Sequence, residues 1–440
     1  MAARTICQVI GCWACSAAIM LAGNPELAKP VLLNADGKAI DTGKAWGHSS
    51  PCIVDLDGDG RQDLLLGDFS GKFHVYKNAG GDGIPQLKSD GALQAGNVDA
   101  EVRIYCCIGA QARMADLDGD GIQDLVSNSY DPGHCYLFRG LPDHQFAARE
   151  ELLDKTGTPV RSSPQQQQDF QSFGSFYTPV DWDADGDFDL LIGCFDGGLK
   201  VRINEGDAKQ YAFAAENIPL KADGKPLKVK AHFCPAVADW DGDGLFDVIA
   251  GSDDGSVTWF RNVGKAGAPN FAGGVELVAK HDGNGYNLLR WSDDDIGPGI
   301  RSQPEIADVN GDGKLDLIVG DFATVYAIKP DVTPEERAEF ESILAEAQKT
   351  GKPVAEKYEA LHKDFAARYP GDAIYSDEAT AAWTKEYQAM RESPESKAAE
   401  ANAAEFVKKV KPFLAKTHGA GNESHELAIP HGYVWLYLRK

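Results

Sequence analysis

The sequence predicts a mainly β fold, a β-propeller of five four-stranded blades with an α-helical insertion in the last blade. Three observations lead there. An aspartate-rich loop occurs five times, its first aspartate at Asp55, Asp116, Asp181, Asp239 and Asp308, a spacing of 58–69 residues. Each copy carries the same order of short segments, as in "VADWDGDGLFDVIAGSDDGSVTWFRN" from Val237: an apolar lead-in, the loop, an apolar run, a polar turn and an alternating run. Only after Asp331 does the composition turn to helix formers.

Taken in chain order, the first 23 residues, "MAARTICQVIGCWACSAAIMLAG", place Arg4 before an apolar stretch and end in small residues. That is the layout of a secretory signal peptide, so export to the periplasm, the cell surface or the medium is expected. No later run is long and apolar enough to span a bilayer. The propeller is assigned to 24–332, the helical insertion to 333–416 and a closing segment to 417–440.

Within each repeat, runs such as "DLLLG" and "DLIVG" are short, branched and ended by glycine, which reads as buried strand. "KFHVYKN" and "VTWF" alternate, giving one buried and one wetted side. A fourth strand falls in the connectors "PVLLNADGKAID", "ELLDKTGTPV" and "IPLKADGKPLKV". In the insertion, Thr333 is placed to cap, with Pro334 in the first turn and Glu336 three residues beyond the cap. Phe340, Ile343, Leu344 and Ala347 share a helical face, as do Val354, Tyr358, Leu361 and Phe365, and a bundle of three to four helices is expected. The last residues, "HGYVWLYLRK", return to a strand pattern, and the expectation is that they rejoin the fifth blade while "PVLLNADGKAI" adds its outer strand.

The loops carry the chemistry. Aspartates at positions 1, 3 and 5 of a tight loop aim their oxygens at one point, glycine at position 6 permits the turn, and position 9 adds another carboxylate. The ligand sets are Asp55, Asp57, Asp59 and Asp63; Asp116, Asp118, Asp120 and Asp124; Asp181, Asp183, Asp185 and Asp189; Asp239, Asp241, Asp243 and Asp247; Asp308, Asn310, Asp312 and Asp316. Position 7 holds Arg61, Ile122, Asp187, Leu245 and Lys314, which share no side-chain chemistry, so their backbone carbonyls are the expected ligands. Oxygen-only donors select Ca²⁺ over zinc or copper, and about five structural calcium ions are expected. An EF-hand is excluded, because position 12 holds Leu66, Ser127, Ile192, Ala250 and Val319 where that motif needs Glu.

On these loops the chain resembles the FG-GAP or VCBS repeats of calcium-binding β-propellers, a family that includes integrin α-subunit heads and exported bacterial proteins. The resemblance covers residues of about 45 to 330. It implies that each loop joins the innermost strand of a blade to the next one out and holds one Ca²⁺. Integrin-type heads have seven blades; only five repeats are legible here.

The formal net charge of −24 excludes nucleic acid as a partner, since phosphate binding needs clustered Lys and Arg. Of nine cysteines, three lie in the leader; Cys52, Cys106, Cys107, Cys135, Cys194 and Cys234 are either disulfide-forming or buried small hydrophobes. No nucleophile elbow, HExxH, P-loop or dinucleotide fingerprint is present. The expected function is an exported binding or scaffold module, its carbohydrate or protein ligand on the face opposite the loops; the alternative is a polysaccharide lyase or hydrolase. Candidate residues on that face are Trp46, His48, Asp68, Phe69, Tyr130, Phe195, His232, Trp291, Arg301, Asp321 and Phe322, with Asp253 and Asp254 in the same turns. The helical insertion is a candidate partner surface.

Overall fold

The computed structural model describes residues 26–80, 83–102, 108–130, 132–162, 174–281, 297–325, 328–329, 331–369, 376–414 and 429–440. The leader, Cys106, Cys107 and the candidate Trp291 lie outside them. The chain forms two compact units, one holding the strands of Met20–His281, Gly297–Ala323 and Pro430–Lys440, the other holding the helices of Thr324–Ile429.

The strand unit is built of antiparallel sheets. The outer edge of the last sheet is β1 (Val31–Leu32). The first sheet runs β2 (Ser50–Val54), β3 (Asp63–Gly67), β4 (Phe73–Asn78) and β5 (Leu87–Ala92). The second runs β6 (Arg113–Ala115), β7 (Asp124–Ser127), β8 (Tyr136–Phe138) and β9 (Glu150–Glu151). The third is β10 (Phe176–Val180), β11 (Asp189–Gly193), β12 (Leu199–Arg202) and β13 (Ile218–Pro219). The fourth is β14 (Cys234–Ala238), β15 (Asp247–Gly251), β16 (Val257–Phe260) and β17 (Val275–Val278).

The apolar run after each loop is the second strand of its sheet, and β3, β11 and β15 are buried along their whole length. One rung closes every loop: Val54 pairs with Asp63, Ala115 with Asp124, Val180 with Asp189, Ala238 with Asp247 and Ala307 with Asp316. The first strands lie side by side in chain order, and β2 of the first sheet also lies against β18 (Ile300–Ala307) of the last.

That close neighbourhood explains the glycine ending "DLLLG". A Cβ on Gly67 would stand 1.7 Å from the carbonyl oxygen of Ala110, on Gly193 1.8 Å from that of Phe233, on Gly251 2.0 Å from that of Ser302, and on Gly320 2.1 Å from that of Ser49. Each partner is the carbonyl just before or within the first strand of the next sheet, and the last sheet meets the first. The second sheet has Asn128 at this place, and its Nδ2 donates to Ser175 O at 3.1 Å. Gly251→Ala must push two packed backbones apart, so it is expected to cost about 3 kcal/mol or more, read as a lowered denaturant midpoint.

The last sheet is assembled from both ends of the chain. Its order is β1, β20 (Val434–Tyr437), β19 (Asp316–Val325) and β18. Val319 pairs with Trp435 and Leu317 with Tyr437, while Leu32 pairs with Trp435 on the other side. Asn34–Ala35 and Lys38–Ala39 form a short hairpin that bridges to β5 of the first sheet through Ala35 and Leu87.

Among the described residues the helical unit has three α-helices, α1 (Pro334–Arg368), α2 (Asp377–Arg391) and α3 (Pro394–Val410). α1 begins in a full capping box between Thr333 and Glu336 and runs without a break through Gly351 and Pro353. Phe340, Leu344, Phe406, Val410, Phe413 and Leu414 form its core, and Arg368 forks onto Glu386 at 2.6 and 3.0 Å.

Candidate metal loops and the face opposite them

The five loops share one hydrogen-bond scheme. In the first, Asp55 accepts from the N–H groups of Gly58, Asp59 and Gly60 at 2.8, 3.2 and 2.9 Å, and Asp59 accepts from Arg61 N at 2.9 Å. The first aspartate accepts from position 5 in every other loop as well, at 2.9–3.1 Å. The N–H of position 7 donates to position 5 in all of them, at 2.8–3.1 Å. This places position 7 by its backbone and leaves its side chain free to vary.

Position 9 does more than offer a carboxylate. Its Oδ2 accepts from the N–H of position 2, and its Oδ1 from the end of the third strand: Asn78 N to Asp63 at 2.8 Å, Gly140 N to Asp124 at 2.7 Å, Asn204 N to Asp189 and Asn262 N to Asp247 at 2.6 Å, Arg439 N to Asp316 at 2.8 Å. The aspartate therefore ties loop to sheet. It is at most 1% exposed in each loop, and burial pushes the carboxyls of Asp124, Asp247 and Asp316 up and that of Asp189 up to about 7.

Carboxylate oxygens lie within 4.8 Å of one another in Asp55, Asp57 and Asp63, in Asp116, Asp118 and Asp124, in Asp181, Asp183 and Asp185, and in Asp239, Asp241 and Asp243. The buried oxygens Oδ1 of Asp118 and Oδ1 of Asp187 have no hydrogen-bond partner among the described residues. In the fifth loop Asn310 Oδ1 accepts from Asp312 N at 2.9 Å and Asn310 Nδ2 donates to Asp312 Oδ2 at 3.2 Å. Crowded hard oxygens with unsatisfied buried members suit a cation such as Ca²⁺, which these residues would hold.

At the other end of the first strands the repeats converge differently. The residue seven places before the first loop aspartate is His48, Gly109, Gly174, His232 and Arg301 in successive repeats. His48, His232 and Arg301 adopt left-handed backbone with φ of 61, 53 and 55°, and Gly174 has 65°. For residues bearing a Cβ this costs about 1–2 kcal/mol each, and such strain clusters at functional sites. Trp46 and Gly47 are left-handed too, at 66 and 76°, and Trp46 is 62% exposed.

The turn after the second strand supplies the other half. Its second residue past the glycine position is aromatic in four repeats, Phe69, Tyr130, Phe195 and Phe322, and Asp253 in the fourth. In three repeats the turn aromatic abuts the next repeat's left-handed position: Phe195 stands 4.2 Å from the His232 ring, Phe322 stacks on His48 at 4.1 Å, and a Cβ on Gly174 would meet Tyr130 at 3.3 Å, while Phe69 stacks on His48 of its own repeat at 5.2 Å. Where the aromatic is replaced, the partner is too. Asp253 Oδ1 lies 3.3 Å from Arg301 Nε and 3.1 Å from His232 Nδ1, and Arg301 Nη1 lies 2.8 Å from His48 Nε2.

Burial alone would raise the Asp253 carboxyl, but the contact with His232 and the positive charges of Arg301 and Lys230 outweigh it and hold it well below the usual range. Burial lowers His232, which keeps it neutral near pH 7. A depressed carboxyl stabilises the fold above its unfolded pKa of about 4, and that contribution disappears as pH falls further. Asp253→Asn is therefore expected to cost about 3 kcal/mol at pH 7 and to lose the part of the acid-limb decline below pH 4 that the parent shows in urea melts.

Asp68, in the turn after β3, and Asp321, within β19, are both 1% exposed and hydrogen-bonded. Asp68 accepts from Ser70 N at 2.7 Å and lies 2.7 Å from His74 Nε2; Asp321 accepts from Gly299 N, Tyr433 N and Trp435 Nε1 at 2.6–2.8 Å. Sequence reasoning missed Arg113 and Glu305, which meet at 3.0 Å between the first strands, where Arg113 also donates to the carbonyls of Pro51, Pro235 and Pro304 at 2.9–3.4 Å. An arginine inside an otherwise apolar strand was the available signal. Cys52, Cys135, Cys194 and Cys234 are free and buried, with Cys194 and Cys234 pushed up by burial to about 12, so they pack as small apolar groups.

Antiparallel four-stranded sheets, each carrying an aspartate loop between its first two strands, define a repeat protein of β type. Residues 181–250 and 239–319 match the family model described as FG-GAP-like repeat, and the chain carries FG-GAP-like repeats. No curated protein has a matching sequence. Among solved structures the chain is similar to the periplasmic gluconolactonase PpgL of Pseudomonas aeruginosa, at 17% identity over 64% of this chain and 66% of that one, with a TM-score of 0.32. It is also similar to TcdB2-TccC3, at 15% identity over 71% of this chain and 15% of that one, with a TM-score of 0.33. A third, described as a putative oxidoreductase (glucose dehydrogenase) of Thermus thermophilus, has 11% identity over 62% of this chain and 94% of that one, with a TM-score of 0.28.

Proposed function

We propose that the chain is an exported, calcium-binding β-propeller of five blades that acts as a binding or scaffold module, with its ligand on the face opposite the calcium loops. Five blades are supported by the cyclic order of the first strands and by the last-to-first approach of Gly320 to Ser49. The calcium ions, one to a loop, hold the first two strands of each blade together and offset carboxylate repulsion. No described helix is long and apolar enough to cross a membrane.

One observation carries the placement of the ligand. One facing pair is charged, Asp253 in place of an aromatic and Arg301 in the left-handed position, beside two left-handed histidines, and the exposed Trp46 lies two residues before one of them, His48. Packing needs no such exception, since the aromatic pairing serves in the neighbouring blades. An exposed indole two residues from a histidine of a charged, strained cluster suits a carbohydrate or a peptide side chain. The helical unit offers a second surface for a protein partner.

The test is a screen of the purified protein in calcium against glycan and peptide arrays, scoring retained ligand and released product. Binding that Trp46→Ala and Arg301→Lys abolish, with melting unchanged, supports the reading. Product release would move the chain to the enzymes, and binding indifferent to both changes would relocate the ligand.

A further inference from the structure

The five loops differ in a way that the repeat itself makes visible. The residue just before the N–H that holds the position 9 aspartate is Lys77, Arg139, Ile203, Arg261 and Leu438 in chain order. The three cations reach back into their own loops. Lys77 Nζ lies 2.9 Å from Asp57 and 3.3 Å from Asp63, Arg139 Nη1 lies 2.6 Å from Asp118, and Arg261 pairs with Asp241 and, at 3.1 Å, with Asp243. Arg61 adds a second cation to the first loop through its pairing with Asp59.

The third loop stands apart. It has five carboxylates, Asp181, Asp183, Asp185, Asp187 and Asp189, with Ile203 where the cation would be, and no described ion pair touches any of them. Asp187 is 5% exposed, so the third loop carries more buried negative charge than the others. Its backbone is under strain as well: position 4 is left-handed in every loop, glycine in four of them, but Ala184 with φ of 61° in this one. The fifth loop also lacks the strand cation, yet Asn310 replaces one carboxylate and Lys314 stands at position 7.

We infer that the third loop is the tightest cation site of the five and fills first, and that Lys77, Arg139 and Arg261 are built-in competitors that set weaker calcium affinity in the first, second and fourth loops. The inference rests on the calcium reading above. A unit charge a few ångströms from a divalent ion opposes it by enough to change affinity about tenfold or more, even at the high effective dielectric of a half-exposed loop. Occupancy then follows calcium concentration in steps, the third loop being loaded while the first, second and fourth still hold their salt bridges.

Terbium titrated into calcium-free full-length protein, with tryptophan excitation, reads the steps, since Trp182 and Trp240 occupy position 2 of the third and fourth loops; calorimetry with calcium reads them independently. The tightest step is expected to vanish in Asp181→Asn/Asp183→Asn and to persist in Asp116→Asn/Asp118→Asn. Ile203→Lys is expected to weaken it about tenfold or more, and Arg139→Ile to tighten the second loop by a similar factor. Melting in saturating calcium shows whether Ile203→Lys folds, and Arg139→Ile tests the competitor role without it. A tightest step that survives loss of the third loop, or a single affinity for all loops, overturns the inference while calcium binding stands. No step in any protein overturns the calcium reading itself.

Discussion

Chelating calcium is expected to remove most of the stability of the strand unit. On the calcium reading each loop would bind the ion only when folded, and a site at a hundredfold excess over its Kd would add about 2.7 kcal/mol. Several such sites together rival the whole stability of an ordinary domain, about 5–15 kcal/mol. Without the ion, loops such as Asp239, Asp241 and Asp243 keep carboxylate oxygens within 4.8 Å of one another. Calorimetry in excess chelator should therefore show a melt lowered by tens of degrees or lost, restored by calcium and only partly by magnesium, whose octahedral demand these loops fit less well. Asp239→Ala should remove one site, whereas Leu245→Ala should leave metal affinity nearly intact because only the backbone of position 7 takes part. An unchanged melting temperature in chelator would sink the proposal.

Deleting residues 431–440 is expected to abolish cooperative folding of the strand unit. Val434, Trp435, Leu436 and Tyr437 are each 6% exposed or less and form the third strand of the last sheet. Burying four such side chains is worth roughly 6–12 kcal/mol. The deletion also removes Arg439 N from Asp316, and Tyr433 N and Trp435 Nε1 from Asp321, leaving two buried carboxylates short of donors. β1 would lose its only neighbour in the sheet order, because it pairs through Leu436 and Trp435. Far-UV dichroism and a denaturant melt check this directly. A truncated protein with the parent's midpoint would show that the closing strand contributes nothing.

Much of this architecture was legible beforehand because its signals are local. Alternating aspartates closed by glycine specify a loop whose hydrogen bonds run within a few residues, so the scheme from Asp55 to Arg61 recurs at Asp308 to Lys314 unchanged. The apolar runs announced buried second strands, and Thr333 with Glu336 announced the start of α1. The helix passing unbroken through Gly351 and Pro353 was less legible, since a helix can absorb one proline when its other turns are intact.

The sequence by itself determined the repeat, the aspartate loops, the strand order within each sheet and the return of the chain to strand at its end, all properties of neighbours along the chain. Only the tertiary structure decided what meets across repeats. It placed the "DLLLG" glycine against the next sheet's carbonyl, Arg113 against Glu305 between the first strands, and Asp253 against Arg301, 48 residues away. Such contacts depend on how rigid sheets dock, and a side chain's partner there is fixed by the close packing of separate elements, which no local spacing encodes.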